Sequence, residues 1–286
     1  AGALVLELPP GLDARTVRAV AMDLDGTVLD ETFQPSQRTA SAVALAEASG
    51  IACLIATGRM FVSARRIAEK LGIRRPLVCY QGALVADPVS GEVLVHRPIE
   101  APLAREILQA MPELHARRSN LYVDDELYVW EENEATRRYS QVAGVPLHIV
   151  GPLADWIERP TTKIVTVGLP EEMDALRDHM QPLFGSRAFV AKSLPYFLEF
   201  AAPGVSKASG LALVAERLGF TAEQAVGVGD AENDREMLEW AGFGVAVENA
   251  DERLKRQADM VIPSVHEDGV AQLLEALVDA RRPSAD

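Results

Sequence analysis

The strongest constraint on how this chain can fold is a rhythm. Short apolar runs, each closed by polar residues, alternate with amphipathic helical stretches. That alternation predicts parallel strands joined by helical crossovers. Val17 to Leu24 reads as a first strand and Ser36 to Ser49 as a helix stopped by Gly50. "IACLIAT" reads as a second strand, Phe61 to Leu71 as a second helix stopped by Gly72, and "PLVCYQG" as a third strand. After Gly82 the texture changes. "ALVADPVSGEVLVHRPI" and "LYVDDELYVW" alternate apolar and polar residues about turn sequences, the pattern of antiparallel hairpins. From Pro203 the first rhythm returns: a helix at Lys207 to Leu218, then "AVGVGD", a helix from Asp234 to Ala241, "FGVAV" and "DMVIP".

The expected fold class is α/β, a doubly wound, Rossmann-like parallel-sheet core interrupted by an inserted α+β cap. Residues 1–82 and 203–286 would form the core and residues 83–202 the cap, whose antiparallel sheet is expected to be half exposed on one face. A length of 286 residues suits two domains, and 48% hydrophobic with 24% charged residues is an ordinary globular composition.

Parallel sheets bind ligands outside the carboxyl ends of their strands, so the residues closing each strand carry the functional question. The first strand closes in Asp23-Leu24-Asp25-Gly26-Thr27, the second in Ala56-Thr57-Gly58-Arg59, and a late one in Gly229-Asp230-Ala231-Glu232-Asn233-Asp234. Lys207 opens a helix after the turn "PGVS". If those strands are neighbours, Asp23, Asp25 and Asp230 converge on one crevice. Two carboxylates about 4 Å apart repel by about 4 kcal/mol at an effective dielectric near 20. Three of them need a cation or raised pKa values. Hard oxygen ligands suit Mg²⁺, and the absence of Cys and His from all these motifs disfavours zinc.

A carboxylate beside Mg²⁺ can attack a bound phosphate in line and form an aspartyl-phosphate. A second carboxylate can protonate the leaving oxygen and then deprotonate water. The Thr57 hydroxyl and the Lys207 ammonium would stabilise the equatorial oxygens, and Gly26 lets the backbone turn sharply. The unfavourable placing of Lys207 in a first helical turn is itself a sign of function.

"DLDGT", "ATGR", "PGVSKASGL" and "GVGDAENDREML", in this order, resemble the four motifs of the haloacid dehalogenase-like phosphatases. The long insert and the ending "GVAVENA…ADMVIPSVHEDGV" resemble the Cof-type subfamily with its C2B cap, the likeness running from about Val17 to Leu277. The resemblance implies Asp23 as nucleophile and Asp25 as general acid/base whose main-chain carbonyl also meets magnesium. It implies Thr57 and Lys207 as phosphate ligands, Asp230 as the main acidic metal ligand, and Asn233 and Asp234 as support for phosphate, lysine and metal. Asp23, Asp25, Asp230 and Asp234 are thus the expected metal set. Gly26, Thr27, Gly58, Arg59, Gln81, Gly82 and Asn233 are the expected phosphate or substrate set. Many relatives carry "NGA" where this chain has Gln81-Gly82-Ala83, and if that amide helps hold phosphate, the longer glutamine shifts its reach and leaves the role of Gln81 open.

The resemblance implies a Mg²⁺-dependent phosphatase of a small phosphorylated metabolite, with sugar phosphates leading. A phosphotransferase or sugar phosphomutase using the same aspartyl phosphate is the alternative. A non-catalytic metabolite sensor is the alternative from another class, and the complete acid set argues against it. A net charge of −14 disfavours nucleic acid. No apolar stretch is long enough for a bilayer, and the opening "AGALVLELPPGLD" reads as a short extension lacking a leader's pattern. Cys53 and Cys79 lie in apolar runs, consistent with reduced thiols and a cytoplasmic monomer or small homo-oligomer. Arg117, Arg118, Trp130 and Tyr196 read as ordinary cap residues, and Asp124 to Glu134 as a solvated hairpin and helix start.

Overall fold

The computed structural model describes residues 6–282; the first five residues of the N-terminal extension and the last four of the chain lie outside the described residues. Strands are numbered β1 Ala19–Met22, β2 Ala52–Ile55, β3 Leu77–Cys79, β4 Leu84–Ala86 and β5 Val93–His96. Next come β6 Ser119–Val123, β7 Glu126–Val129, β8 Leu147–Ile149, β9 Ile164–Val167, β10 Phe189–Leu194 and β11 Phe197–Ala201. Last are β12 Ala225–Gly229, β13 Phe243–Val247 and β14 Met260–Ile262.

The core is a parallel sheet in the order β14-β13-β12-β1-β2. From β1 the chain winds to one side through β2, then returns to wind to the other through β12. The reversal puts a crevice at the carboxyl ends of β1 and its two neighbours, where open sheets bind ligands. β1 is buried at all four positions, as a central strand covered on both faces must be. Local chemistry sets the crossovers. Ser36 Oγ caps the helix Gln37–Ala48 by accepting from Thr39 N at 3.0 Å. Gly72 and Gly219 end the helices Phe61–Leu71 and Lys207–Leu218 in the left-handed region.

β3 extends this sheet through a parallel bridge between Ala56 and Val78, and β4 and β5 run back antiparallel from it. The change of texture at Ala83 therefore marks a hairpin hydrogen-bonded to β3. The second body takes up its own pairing from the Ile99–Thr161 bridge onward.

That second body is a six-stranded sheet in the order β10-β11-β9-β6-β7-β8. Two expectations change here. β8 pairs parallel to β7, so the sheet is mixed rather than antiparallel. Nor is one face exposed. Leu121, Val123, Ile164 and Phe200 pack with Leu108, Met173 and Met180 of the cap helices, while Tyr122, Leu127, Val129 and Val165 join the core's own apolar cluster. The period-2 pattern was real, but its polar face looks at the other domain instead of solvent. The helices Ala101–Ala110 and Gly269–Arg281 went unread in the sequence, since neither follows a marked strand end. Among the described residues, no helix is long and apolar enough to cross a membrane.

Candidate active site

Three strand ends and one helix start meet in the crevice. Asp23 follows β1, its N–H donating to Val228 O at 3.0 Å across to β12. Thr57 follows β2 and is held by Val78 O and Gln81 N at 2.8 and 3.0 Å. Asp230 follows β12, and Lys207 is the first residue of its helix. Ser206 caps that helix, and its first turn packs tightly on Gly82. A Cβ at Gly82 would sit 2.0 Å from Ser206 O, and its φ of +101° also favours glycine. Gly82 thus lets the lysine-bearing helix approach, a packing role where a phosphate-binding one was expected.

Lys207 is 1% exposed. Its Nζ lies 2.7 Å from Asp23 Oδ1 and donates to Asp234 Oδ1 at 2.6 Å. Burial alone would pull its pKa down, but Asp23 and Asp234 outweigh burial and hold the ammonium charged. Asp23 is pushed well up by burial, an effect Lys207 offsets only in part because Asp234 and Asp230 add to it. Asp230 is raised to about 7, first by burial and then by Asp234. Asp234 is enclosed. Its Oδ2 accepts from the N–H groups of Asp230 and Ala231 at 3.0 and 3.1 Å, which fixes the loop that presents Asp230.

Asp23, Asp230 and Asp234 each offer an oxygen within 4.8 Å of the others, against one ammonium. This excess of carboxylate, all hard oxygen donors, fits a divalent cation of the Mg²⁺ kind. The Asp25 carboxylate is elsewhere. It accepts from Arg59 Nε at 2.7 Å and from the second fork nitrogen, while the guanidinium rests over the Phe33 ring. Any contribution of Asp25 to a cation falls to its main chain, as the resemblance implied. Thr27 also differs from expectation: its hydroxyl donates to Asp230 Oδ1 at 3.0 Å, so it holds the acid.

Gly26 takes φ +83°, and a Cβ there would meet Asp230 Oδ2 at 2.3 Å. Its carbonyl accepts from Asn249 Nδ2 at 2.7 Å, a contact the sequence did not signal. Gly58 leaves room for Gln81, whose Nε2 a Cβ there would reach at 2.7 Å. Gln81 Oε1 accepts from Asn233 Nδ2 at 3.2 Å. The longer amide thus bridges two motifs.

The cap reaches this site directly. Lys163, buried on the cap face, donates to Gly58 O at 3.0 Å and pairs with Glu199 at 3.3 Å. Asp125, at the tip of the β6–β7 hairpin, is not solvated as expected. It accepts from Phe61 N, Val62 N and Tyr80 Oη at 3.0, 2.7 and 2.7 Å, capping the helix that follows Arg59. Neither residue stands in a strand-end motif, so Lys163 went unread and Asp125 was read as part of a solvated turn. Between cap and core lies a cavity of about 1200 Å³, bounded on the core side by Asp25, Gly26, Arg59 and Asp230. Arg117, Arg118 and Tyr196, expected at the cap surface, line its cap side.

Residues 20–274 match the model of the haloacid dehalogenase-like hydrolases. The 5-amino-6-(5-phospho-D-ribitylamino)uracil phosphatase YcsE of Bacillus subtilis is 30% identical, aligned over 90% of this chain and 94% of that protein. A phosphoglycolate phosphatase of Archaeoglobus fulgidus is 30% identical over 91% and 96%. A crystal structure from Thermotoga maritima superposes with TM-score 0.78 at 31% identity, covering 94% of this chain and 98% of that one.

Proposed function

This chain belongs to the haloacid dehalogenase-like hydrolases, and from that premise we propose that it is a Mg²⁺-dependent phosphatase working through a covalent phosphate on Asp23. The carrying observation is the meeting of Asp23, Thr57 and Asp230 at neighbouring strand ends with Lys207 at a helix start, with the charge excess just described. Bound among Asp23, Asp230 and the Asp25 main chain, Mg²⁺ would offset the carboxylates and orient a substrate phosphate. Asp234 would act mainly by holding Lys207 and the Asp230 loop, because its oxygens are already engaged.

An Asp23 oxygen attacks phosphorus, and the P–O bond to the leaving group breaks on the far side. Asp25, once released from the Arg59 fork and protonated from solvent, gives that proton to the leaving oxygen. It then takes a proton from the water that attacks the phosphorus, releasing inorganic phosphate and restoring Asp23. Lys207 and Thr57 hold the equatorial oxygens, while the cap face carrying Lys163 keeps bulk water out. The substrate is a small phosphorylated metabolite of sugar or sugar-alcohol type. The ribityl phosphate in the name of the Bacillus subtilis relative supports that class. Hydrolysis of p-nitrophenyl phosphate should depend on added Mg²⁺ and vanish with chelator. Asp23→Asn should lower kcat at least ~10³-fold with the fold intact by circular dichroism. Near-native turnover by that variant would sink the mechanism.

A further inference from the structure

We infer that Asp125 of the cap is a positioning residue for the phosphate-binding loop Thr57–Arg59, because it completes a helix start that the core leaves uncapped. This rests on the phosphatase reading and adds to it a carboxylate from the other domain. The core holds the loop through three main-chain bonds. Thr57 N donates to Val78 O at 2.8 Å, while Gln81 N donates to Thr57 O and Tyr80 N to Arg59 O, each at 3.0 Å. The loop then runs straight into the helix Phe61–Leu71. Met60, the N-cap, has no side-chain oxygen, and the first turn carries no acid. The cap supplies what is missing. Asp125 Oδ1 accepts from Phe61 N at 3.0 Å and from the Tyr80 hydroxyl at 2.7 Å, and Oδ2 accepts from Val62 N at 2.7 Å. A negative group suits a helix N-terminus on electrostatic grounds too. Lys163 Nζ takes the Gly58 carbonyl at 3.0 Å, so the cap grips the loop on both sides of Arg59.

The backbone gives a second, independent sign. β6 and β7 pair Val123 with Glu126, so Asp124 and Asp125 form a two-residue turn, with φ of +52° and +60°. Two positive values are the type I′ geometry, whose second position favours glycine. Aspartate tolerates that conformation at a cost that glycine escapes. Such strain persists where the surroundings demand the residue, and here the demand is the carboxylate. Tyr80 repeats the pattern. It is an aromatic residue at φ +51° and 1% exposed, with its N–H on Arg59 and its hydroxyl on Asp125. Two strained turns, one from each domain, therefore meet at one carboxylate beside the loop that carries Thr57. Asp124, in the same turn, pairs instead with Arg159 at an exposed surface.

The test compares Asp125→Gly, which suits the turn and deletes the carboxylate, with Asp124→Gly, which alters the same turn and spares the contact. Both are made in the intact protein and assayed with Mg²⁺ on p-nitrophenyl phosphate. Asp125→Gly should lower kcat about tenfold and leave KM within about twofold, as when a positioning contact is lost. Inhibition by orthovanadate, which resembles the five-coordinate transition state, should weaken by about the same factor, while inhibition by inorganic phosphate holds. Asp125→Asn, which keeps one acceptor oxygen, should recover part of the loss, and Asp124→Gly should match the parent. Amide hydrogen exchange over residues 57–65 should quicken in Asp125→Gly and not in Asp124→Gly. A kcat within about twofold of the parent would overturn the assignment. So would an equal loss in Asp124→Gly, or a loss without faster exchange in that segment. If the parent itself does not hydrolyse p-nitrophenyl phosphate, the phosphatase reading fails, and the exchange comparison still decides whether Asp125 holds the loop.

Discussion

Two sets of ion pairs in this molecule use the same chemistry under opposite conditions. In the core, Lys207 is sealed between Asp23 and Asp234, with side-chain exposures of 0%, 8% and 0%. In the cap, Arg117 and its glutamates lie at 37% to 69%. The core set is held in low dielectric, so removing one member leaves the others buried and unopposed. The cap set exchanges readily with water and contributes little to stability. Burial turns a pair into machinery; exposure leaves it a surface contact.

Lys207→Met is the sharpest way to break this contrast. We expect activity to fall roughly 10²–10³-fold. Stability in urea should fall by about 3–5 kcal/mol, because two buried carboxylates lose their cation. Arg117→Met should leave the urea midpoint indistinguishable from the parent. Equal losses in the two variants would show that burial is not what separates them.

Lys163 lies between the two regimes, a buried cap ammonium that touches the phosphate loop at Gly58. Lys163→Met should lower kcat about tenfold with little change in KM, an effect of the size expected when a positioning contact is lost. Lys163→Arg should recover part of it. If the loss is wholly in thermal stability and kcat holds, the contact is scaffold alone.

The smallest expected effect belongs to the cap. Burial lowers the pKa of His115 from 6.5, and neither ring nitrogen has a hydrogen-bond partner. A base depressed in the folded state contributes stability above its unfolded value near 6.5, and loses it as pH falls through the folded value. The melting temperature should therefore drop modestly between pH 7 and pH 5.5, and His115→Gln should remove part of that drop.

Much of the core was legible because its signals are local. The helices at Phe61 and Lys207 stop where Gly72 and Gly219 punctuate the chain, and the acids at Asp23 and Asp230 close apolar strands. The cap was less so. Its sheet face alternates as a solvated one does, yet Asn120, Lys163 and Glu199 are buried against the other domain. Periodicity reports that a face is polar, not what covers it.

By itself the sequence determined the parallel core and the acid, hydroxyl and ammonium groups at its strand ends and helix start, since each depends on residues within a few positions. Only the tertiary structure decided who partners whom. Arg118 meets Glu172 across 54 positions, Lys163 meets Gly58 across 105, and Thr27 holds Asp230 across 203. A charge carries no address along the chain. Its partner is chosen when the sheets pack, and with it whether the charge reacts, braces a loop or rests at the surface.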